Sequence, residues 1–380
     1  MTVRIPTADG GVVAYEPAKT GRVAAPSGAP LTERVVFAAA HVVADPLADN
    51  TPGQPAALDW DATLAFRRHL WSYGLGVAEA MDTAQRGMGL DWPAAAELIR
   101  RSGAAAAAAG GRIAVGVGTD QLDGPATIEQ ISAAYLEQLA VAEEAGAQPI
   151  VMASRALAAA ATGAEDYQKV YGEVLSQTGR PAILHWLGPM FDPALAGYWG
   201  SDDLDAATDT LVELIAAHAG SIDGVKVSLL DAGREVALRR RLPAGVRCYS
   251  GDDFHYPELV AGDEHGHSDA LLGIFDPLAP IASQAVRNLP ELRQLLDPTV
   301  ELSRHLFGAP TRFYKTGVVF LAWLAGFQQT PRMVGGYETA RSVPHLARAY
   351  VLADQLGLFP EPEQAAARVR SFLALAGVDQ

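Results

Sequence analysis

The run VKVSLL, residues 225–230, is aliphatic apart from Lys226 and one serine. Such a run is expected of a strand buried on both faces. An ammonium group is costly there unless it is paired, neutral or in use. Two readings follow. Lys226 is a structural lysine satisfied by a buried carboxylate such as Glu79, or it is a desolvated amine with a lowered pKa that attacks a carbonyl and forms a Schiff base. Side chains alternate along a strand, so Ser228 shares the face of Lys226, and Glu79, Met81 and Thr83 share a face likewise.

The elements that must position these groups alternate. Strand signals appear at 34–45, 76–83, 112–122, 148–154, 181–188, 224–231, 245–253 and 268–275, with amphipathic helices between them. Eight strands alternating with helices, with no break in composition, predict an α/β chain folded as a (β/α)8 barrel. A doubly wound nucleotide-binding sheet would want a GxGxxG turn after an early strand, and GVGTDQ (116–121) is only a fragment of one. The expected organisation is an N-terminal hairpin and link (1–30), the barrel (31–280), and a helical segment packed on it (281–380). In such a barrel the C-terminal ends of the strands line the active site. Those ends carry His41 and Asp45; Glu79, Asp82 and Thr83; Thr119 and Asp120; Ser154 and Arg155; His185; Lys226, Ser228 and Asp231; Ser250, Asp252 and Asp253; and Asp269.

Composition narrows the function. A formal net charge of −15 argues against nucleic acid or an anionic membrane as partner. The most basic segment, GREVALRRRLP (233–243), reads at helical spacing as a solvated helix face. The single cysteine, Cys248, rules out a disulfide framework within the chain, and a reducing cytoplasm is expected. The first residues, MTVRIPTADGG, do not resemble a signal peptide. The longest apolar run, TGVVFLAWLAGF (316–327), is too short to span a membrane and predicts a buried helix. The expected partners are a small-molecule substrate and further copies of the chain. The segment FHYPELVAGDEHGHSD (254–269) holds His255, His265 and His267. It reads either as a divalent-metal loop or as a solvated lid.

The order PAILHWLGP, IDGVKVSLLD, RCYSGDD resembles the dihydrodipicolinate synthase / N-acetylneuraminate lyase superfamily, the barrel of the class I aldolases. There a strand P-x-I-L-Y-N-x-P precedes a strand G-I-K and one ending S-G-D-D. The likeness extends over about residues 30–360, and more narrowly to a divergent branch known only as a domain of unknown function. The resemblance implies Lys226 as the Schiff-base lysine, with no cofactor beyond that imine. It puts His185 where the family has its catalytic tyrosine, and Thr83 and Ala84, after Asp82, where a threonine pair grips the pyruvate carboxylate. The arginine that follows the tyrosine has no counterpart in HWLGPMFD, so dihydrodipicolinate synthase activity itself is not expected. Histidine titrates near neutral pH and can move protons in the tyrosine's place. Glu79 and Asp82 would repel a carboxylate there, and suit a polyhydroxylated neutral substrate or a bound cation. The expected enzyme is a Schiff-base lyase, aldolase or related dehydratase acting on a small keto compound. Lys226 and His185 are its expected catalytic groups, and Glu79, Asp82, Thr83, Arg155, Ser228, Ser250, Asp252 and Asp253 its expected substrate-binding groups. The alternatives are a metal-dependent sugar isomerase or epimerase, with a divalent ion on Glu79, His185, Asp253 and His255, and a non-catalytic sugar-binding barrel.

Overall fold

The computed structural model describes residues 2–21 and 23–380. Val3–Pro6 (β1) and Val12–Tyr15 (β2) pair as an antiparallel hairpin, closed by bonds between Thr7 and Gly11 around the Asp9-Gly10-Gly11 turn. Eight parallel strands follow: Val36–Ala39 (β3), Gly76–Glu79 (β4), Ile113–Val117 (β5), Gln148–Val151 (β6), Ala182–Leu187 (β7), Ile222–Ser228 (β8), Arg247–Ser250 (β9) and Asp269–Leu272 (β10). Each pairs with its sequence neighbour, and β10 returns to β3, so the sheet closes into a barrel. All eight fall on the strand signals of the sequence, and the fold is a (β/α)8 barrel with an N-terminal extension.

The helices of the outer layer are Trp60–Ser72 (α1), Trp92–Ala109 (α2), Ile128–Glu144 (α3), Arg155–Ala160 (α4), Ala164–Leu175 (α5), Leu204–Ala217 (α6), Ala232–Arg239 (α7), Tyr256–Ala261 (α8) and Phe275–Arg287 (α9). Their starts follow the sequence. Asp59, Asp91, Thr127, Ser154, Asp203 and Asp231 each accept a backbone N–H of the first turn, which satisfies donors that a helix leaves open. The C-terminal helices are Leu292–Leu296 (α10), Val300–Leu306 (α11), Tyr314–Leu324 (α12), Val343–Gln355 (α13) and Pro362–Leu375 (α14). The hairpin leans on them: the Tyr15 hydroxyl donates to Asp354 of α13 at 2.7 Å.

Two apolar layers hold the barrel. Phe37, Ala39, Ala78, Met81, Ala114, Ile150, Ile183, Tyr249 and Leu271 fill its interior. The opposite residues of the same strands, Val77, Val115, Leu184, Val225 and Val227 among them, pack against the helices. The basic segment after β8 is neutralised at the surface, Arg239 and Arg240 on Asp263 and Arg241 on Asp209. No described helix is long and apolar enough to cross a membrane.

Candidate active site

On β8 the regular alternation sends Val225 and Val227 to the helices, and Lys226 and Ser228 into the barrel. The chain of Lys226 runs past Gly251, where an added Cβ would come within 2.8 Å of its Cε and of the Val227 carbonyl oxygen, and closer still to Ser228 Oγ. Glycine is needed there to let the lysine extend. The Lys226 amine ends in a narrow space of about 10 Å³, room for about one water molecule. Asp82, Thr83, Leu187, Ser228, Asp253 and Tyr314 are among its walls. The amine has no hydrogen bond or ion pair among the described residues, and Lys226 is 8% exposed. Burial lowers its pKa, and the charges of Asp82 and Asp253 oppose that shift.

Asp253 accepts the Ile274 N–H at 3.0 Å. Burial raises its carboxyl above the usual range, with that hydrogen bond and Lys226 pulling the other way. His185 stands beside Lys226 in the β7–β8 register, and its Nε2 lies 3.2 Å from Ser228 Oγ. Burial, and then the Lys226 charge, hold it well below the ordinary imidazole value, so it is neutral. Thr83 Oγ1 and the Tyr314 hydroxyl are 2.7 Å apart, and the Tyr314 ring stacks on Phe307 at 4.1 Å. Burial raises that phenol well above its ordinary value and keeps it protonated.

Outside this space the barrel mouth widens into a cavity of about 1300 Å³. Asp82 and Leu187 line both spaces and form the boundary between them. His185 and Arg155 line the mouth, Arg155 paired with Asp192. The structure thus brings Lys226, His185, Asp82, Thr83, Ser228 and Asp253 together, with Arg155 at the rim.

Three expected substrate-binding residues lie elsewhere. Glu79 faces the helix layer, where Arg67 of α1 donates to it from Nε at 2.7 Å and from Nη2 at 2.8 Å, and Ser102 of α2 donates at 2.6 Å. The alternation expected beyond Glu79 breaks at Ala80, whose φ of 51° turns Met81 and Thr83 to the other side. Ser250 also points outward, donating to Glu235 of α7 at 3.1 Å, because it stands opposite the inward Tyr249 on β9. Asp252 accepts the N–H groups of Phe254 and His255 and is 2.9 Å from His255 Nδ1, so it holds the turn into α8. The metal set Glu79, His185, Asp253 and His255 is therefore not assembled. Among the described residues no three His, Cys, Asp or Glu side chains converge as metal ligands. His265 lies exposed beside Glu264. His41 is locked between Asp276 and Gln328, at 2.8 and 3.2 Å.

Tyr314 and Lys315, at the start of α12, escaped the sequence reading. The available signal is compositional: FYKTGVVFLAWL opens with polar residues and continues apolar throughout. A helix buried on every side must place such groups against partners or a ligand.

A family model described as "Protein of unknown function (DUF993)" matches residues 3–378. No curated protein matches the chain. Among solved structures, a prophage protein of the dihydrodipicolinic acid synthase family from E. coli K12, in complex with pyruvate, superposes with a TM-score of 0.67 at 12% identity, over 86% of this chain and 99% of that one. Dihydrodipicolinate synthase from Aquifex aeolicus gives 0.64 at 15% identity, over 86% and 99%. A putative dihydrodipicolinate synthetase from Pseudomonas aeruginosa gives 0.61 at 15%, over 83% and 99%. At these identities the likeness is one of fold.

Proposed function

This chain belongs to the DUF993 family of proteins of unknown function, and on that premise we propose that it is a Schiff-base-forming lyase of the aldolase type acting on a small keto compound. One observation carries the reading: Lys226 is a buried amine without a partner among the described residues, at the C-terminal end of a barrel strand, beside Asp253, whose carboxyl burial raises to about 7.

In the proposed reaction the neutral Lys226 amine adds to the substrate carbonyl. The carbonyl oxygen takes up protons and leaves as water, and a protonated imine remains. The imine accepts the electron pair of the adjacent carbon–carbon bond as it breaks. A hydroxyl on the departing carbon gives up its proton to His185 and becomes the second carbonyl; the enamine carbon left on Lys226 takes a proton back from His185, and water hydrolyses the imine so formed and frees Lys226. Asp253 supplies a proton to the leaving oxygen, and neutral His185 accepts the hydroxyl proton. Ser228, Thr83, Tyr314 and Asp82 orient the substrate, with Arg155 at the rim. No further cofactor is required. The space at Lys226 is smaller than any keto substrate, so Asp82 and Leu187 turn aside when one enters.

The test is reduction with borohydride in the presence of candidate keto acids and keto sugars, followed by peptide mass mapping. A reduced adduct on the peptide holding Lys226 is expected, absent from Lys226→Met and Lys226→Arg. Turnover by Lys226→Arg would refute the reading, because arginine keeps the charge but cannot form the imine.

A further inference from the structure

The chain carries 25 arginines and four lysines: Lys19, Lys169, Lys226 and Lys315. Lys19 and Lys169 are exposed. The other two are buried, Lys226 on the inner space and Lys315 next to Tyr314, one of that space's walls. Of the three polar side chains that open α12, two have partners: Tyr314 has Thr83, and Thr316 donates to the Tyr337 carbonyl at 2.9 Å. Lys315, only 3% exposed, has no hydrogen bond or ion pair among the described residues. Its Nζ lies 5.6 Å from the centroid of the Tyr314 ring, which itself walls the space around Lys226. The charge acting most strongly on Lys315 is that of Asp82, followed by Arg155 and Asp192. Lys315 is therefore one side chain removed from the inner space, behind its Tyr314 wall.

The other cations of this region are committed. Arg86 binds Asp120, Gln138 and the Gly116 carbonyl, and Arg155 binds Asp192. Lys226 loses its amine to the imine. Glu79, which would have set two carboxylates against an anionic substrate, faces the helices instead. An ammonium buried without a partner is costly, and a ligand's anion removes that cost.

We propose that Lys315 holds an anionic group of the keto substrate, a carboxylate or a phosphate, while Lys226 forms the imine. The assignment rests on the lyase reading for the identity of the ligand as a keto compound. Burial lowers the Lys315 amine to about 8, against the pull of Asp82, so near pH 8 an arriving anion draws a proton onto it.

The experiment has two arms. In the first, borohydride-trapped adduct at Lys226 is measured against concentration for pyruvate, dihydroxyacetone phosphate and neutral dihydroxyacetone. Whichever anionic ketone is trapped identifies carboxylate or phosphate as the group held. Its half-saturating concentration rises by about ten- to hundredfold in Lys315→Met, the range for loss of a charge-assisted hydrogen bond, and the neutral ketone shows no such loss. Equal effects on charged and neutral ketones overturn the assignment. In the second arm, binding of pyruvate and of inorganic phosphate to Lys226→Met is measured by calorimetry in buffers of different ionisation enthalpy at pH 8. Proton uptake on binding, abolished by adding Lys315→Met, supports the assignment even where no imine is trapped, and then the lyase reading alone fails. Absence of anion binding in this arm overturns it. Lys315→Met is expected to keep or raise the melting temperature, since it removes a buried charge unpaired among the described residues, and a fall of several degrees marks a structural ion pair and overturns the assignment.

Discussion

Replacing Glu79 by glutamine separates a structural from a catalytic carboxylate. Glu79 and Arg67 are both 0% exposed in their side chains. The carboxylate accepts two bonds from Arg67, one from Ser102 and one from the Ala80 N–H at 2.9 Å. Arg67 also donates to the carbonyls of His41 and Thr63. Glutamine keeps the volume, but it removes the countercharge and turns an N–H donor toward other donors. Breaking a buried pair on one side costs about 3–5 kcal/mol, because the remaining charge stays buried alone. At about 2.1 cal/mol/K per residue, unfolding a chain of 380 residues carries about 0.8 kcal/mol/K, so the melting temperature should fall by about 4–6 °C. The assay is thermal unfolding by circular dichroism, run as a double-mutant cycle with Arg67→Met. Glu79→Leu combined with Arg67→Met should recover most of the loss, since apolar residues of similar volume often replace a buried pair without cost. A Glu79→Gln protein that melts within about 1 °C of the parent but no longer yields the reduced Lys226 adduct would refute the reasoning and return Glu79 to the site.

Asp253→Asn keeps an acceptor for the Ile274 N–H and removes the proton donor; imine formation at pH 7, followed by timed borohydride quench, should slow by about a hundredfold or more with little change in melting temperature. His185→Gln can still bond Ser228 but cannot take up the hydroxyl proton; turnover should fall by about a hundredfold, and a fully active variant would return His185 to the core. Glu235 lies buried between Ser268 and Ser250, and burial raises its pKa from the ordinary 4.5 to about 8. The folded state thus binds that proton more tightly than the unfolded chain. The stability it contributes is full below about 4.5 and is lost as pH rises through about 8. Glu235→Gln should therefore gain melting temperature relative to the parent between pH 6 and pH 9, and a pH-independent difference would refute the assignment.

The fold was legible because the barrel strands announce themselves twice, as apolar runs and as regular spacers between capped helices. On β7 and β8 the period of two holds to the strand ends, so His185, Lys226 and Ser228 could be placed on the inner face from their numbers alone. On β4 the same rule misplaces Glu79, because the strand ends there and Ala80 takes a left-handed turn that no periodicity encodes. In SGDD, adjacency in the motif does not imply convergence of the side chains. The local geometry instead divides the four, Gly251 and Asp253 toward Lys226, Ser250 and Asp252 toward the helices. The residues at the head of α12 lie about 90 positions beyond Lys226 in the chain, and only the closed tertiary fold brings Tyr314 against Thr83. Yet their signal was present in a different form. A chain that uses arginine for nearly all of its positive charge and buries two of its four lysines has, at those positions, the one strong cation whose proton burial can remove. Arginine in either place would hold its charge at any working pH. On the proposed reading the sequence marks Lys226 and Lys315 by the same chemical logic, one amine freed to attack and one to take up a proton when an anion arrives.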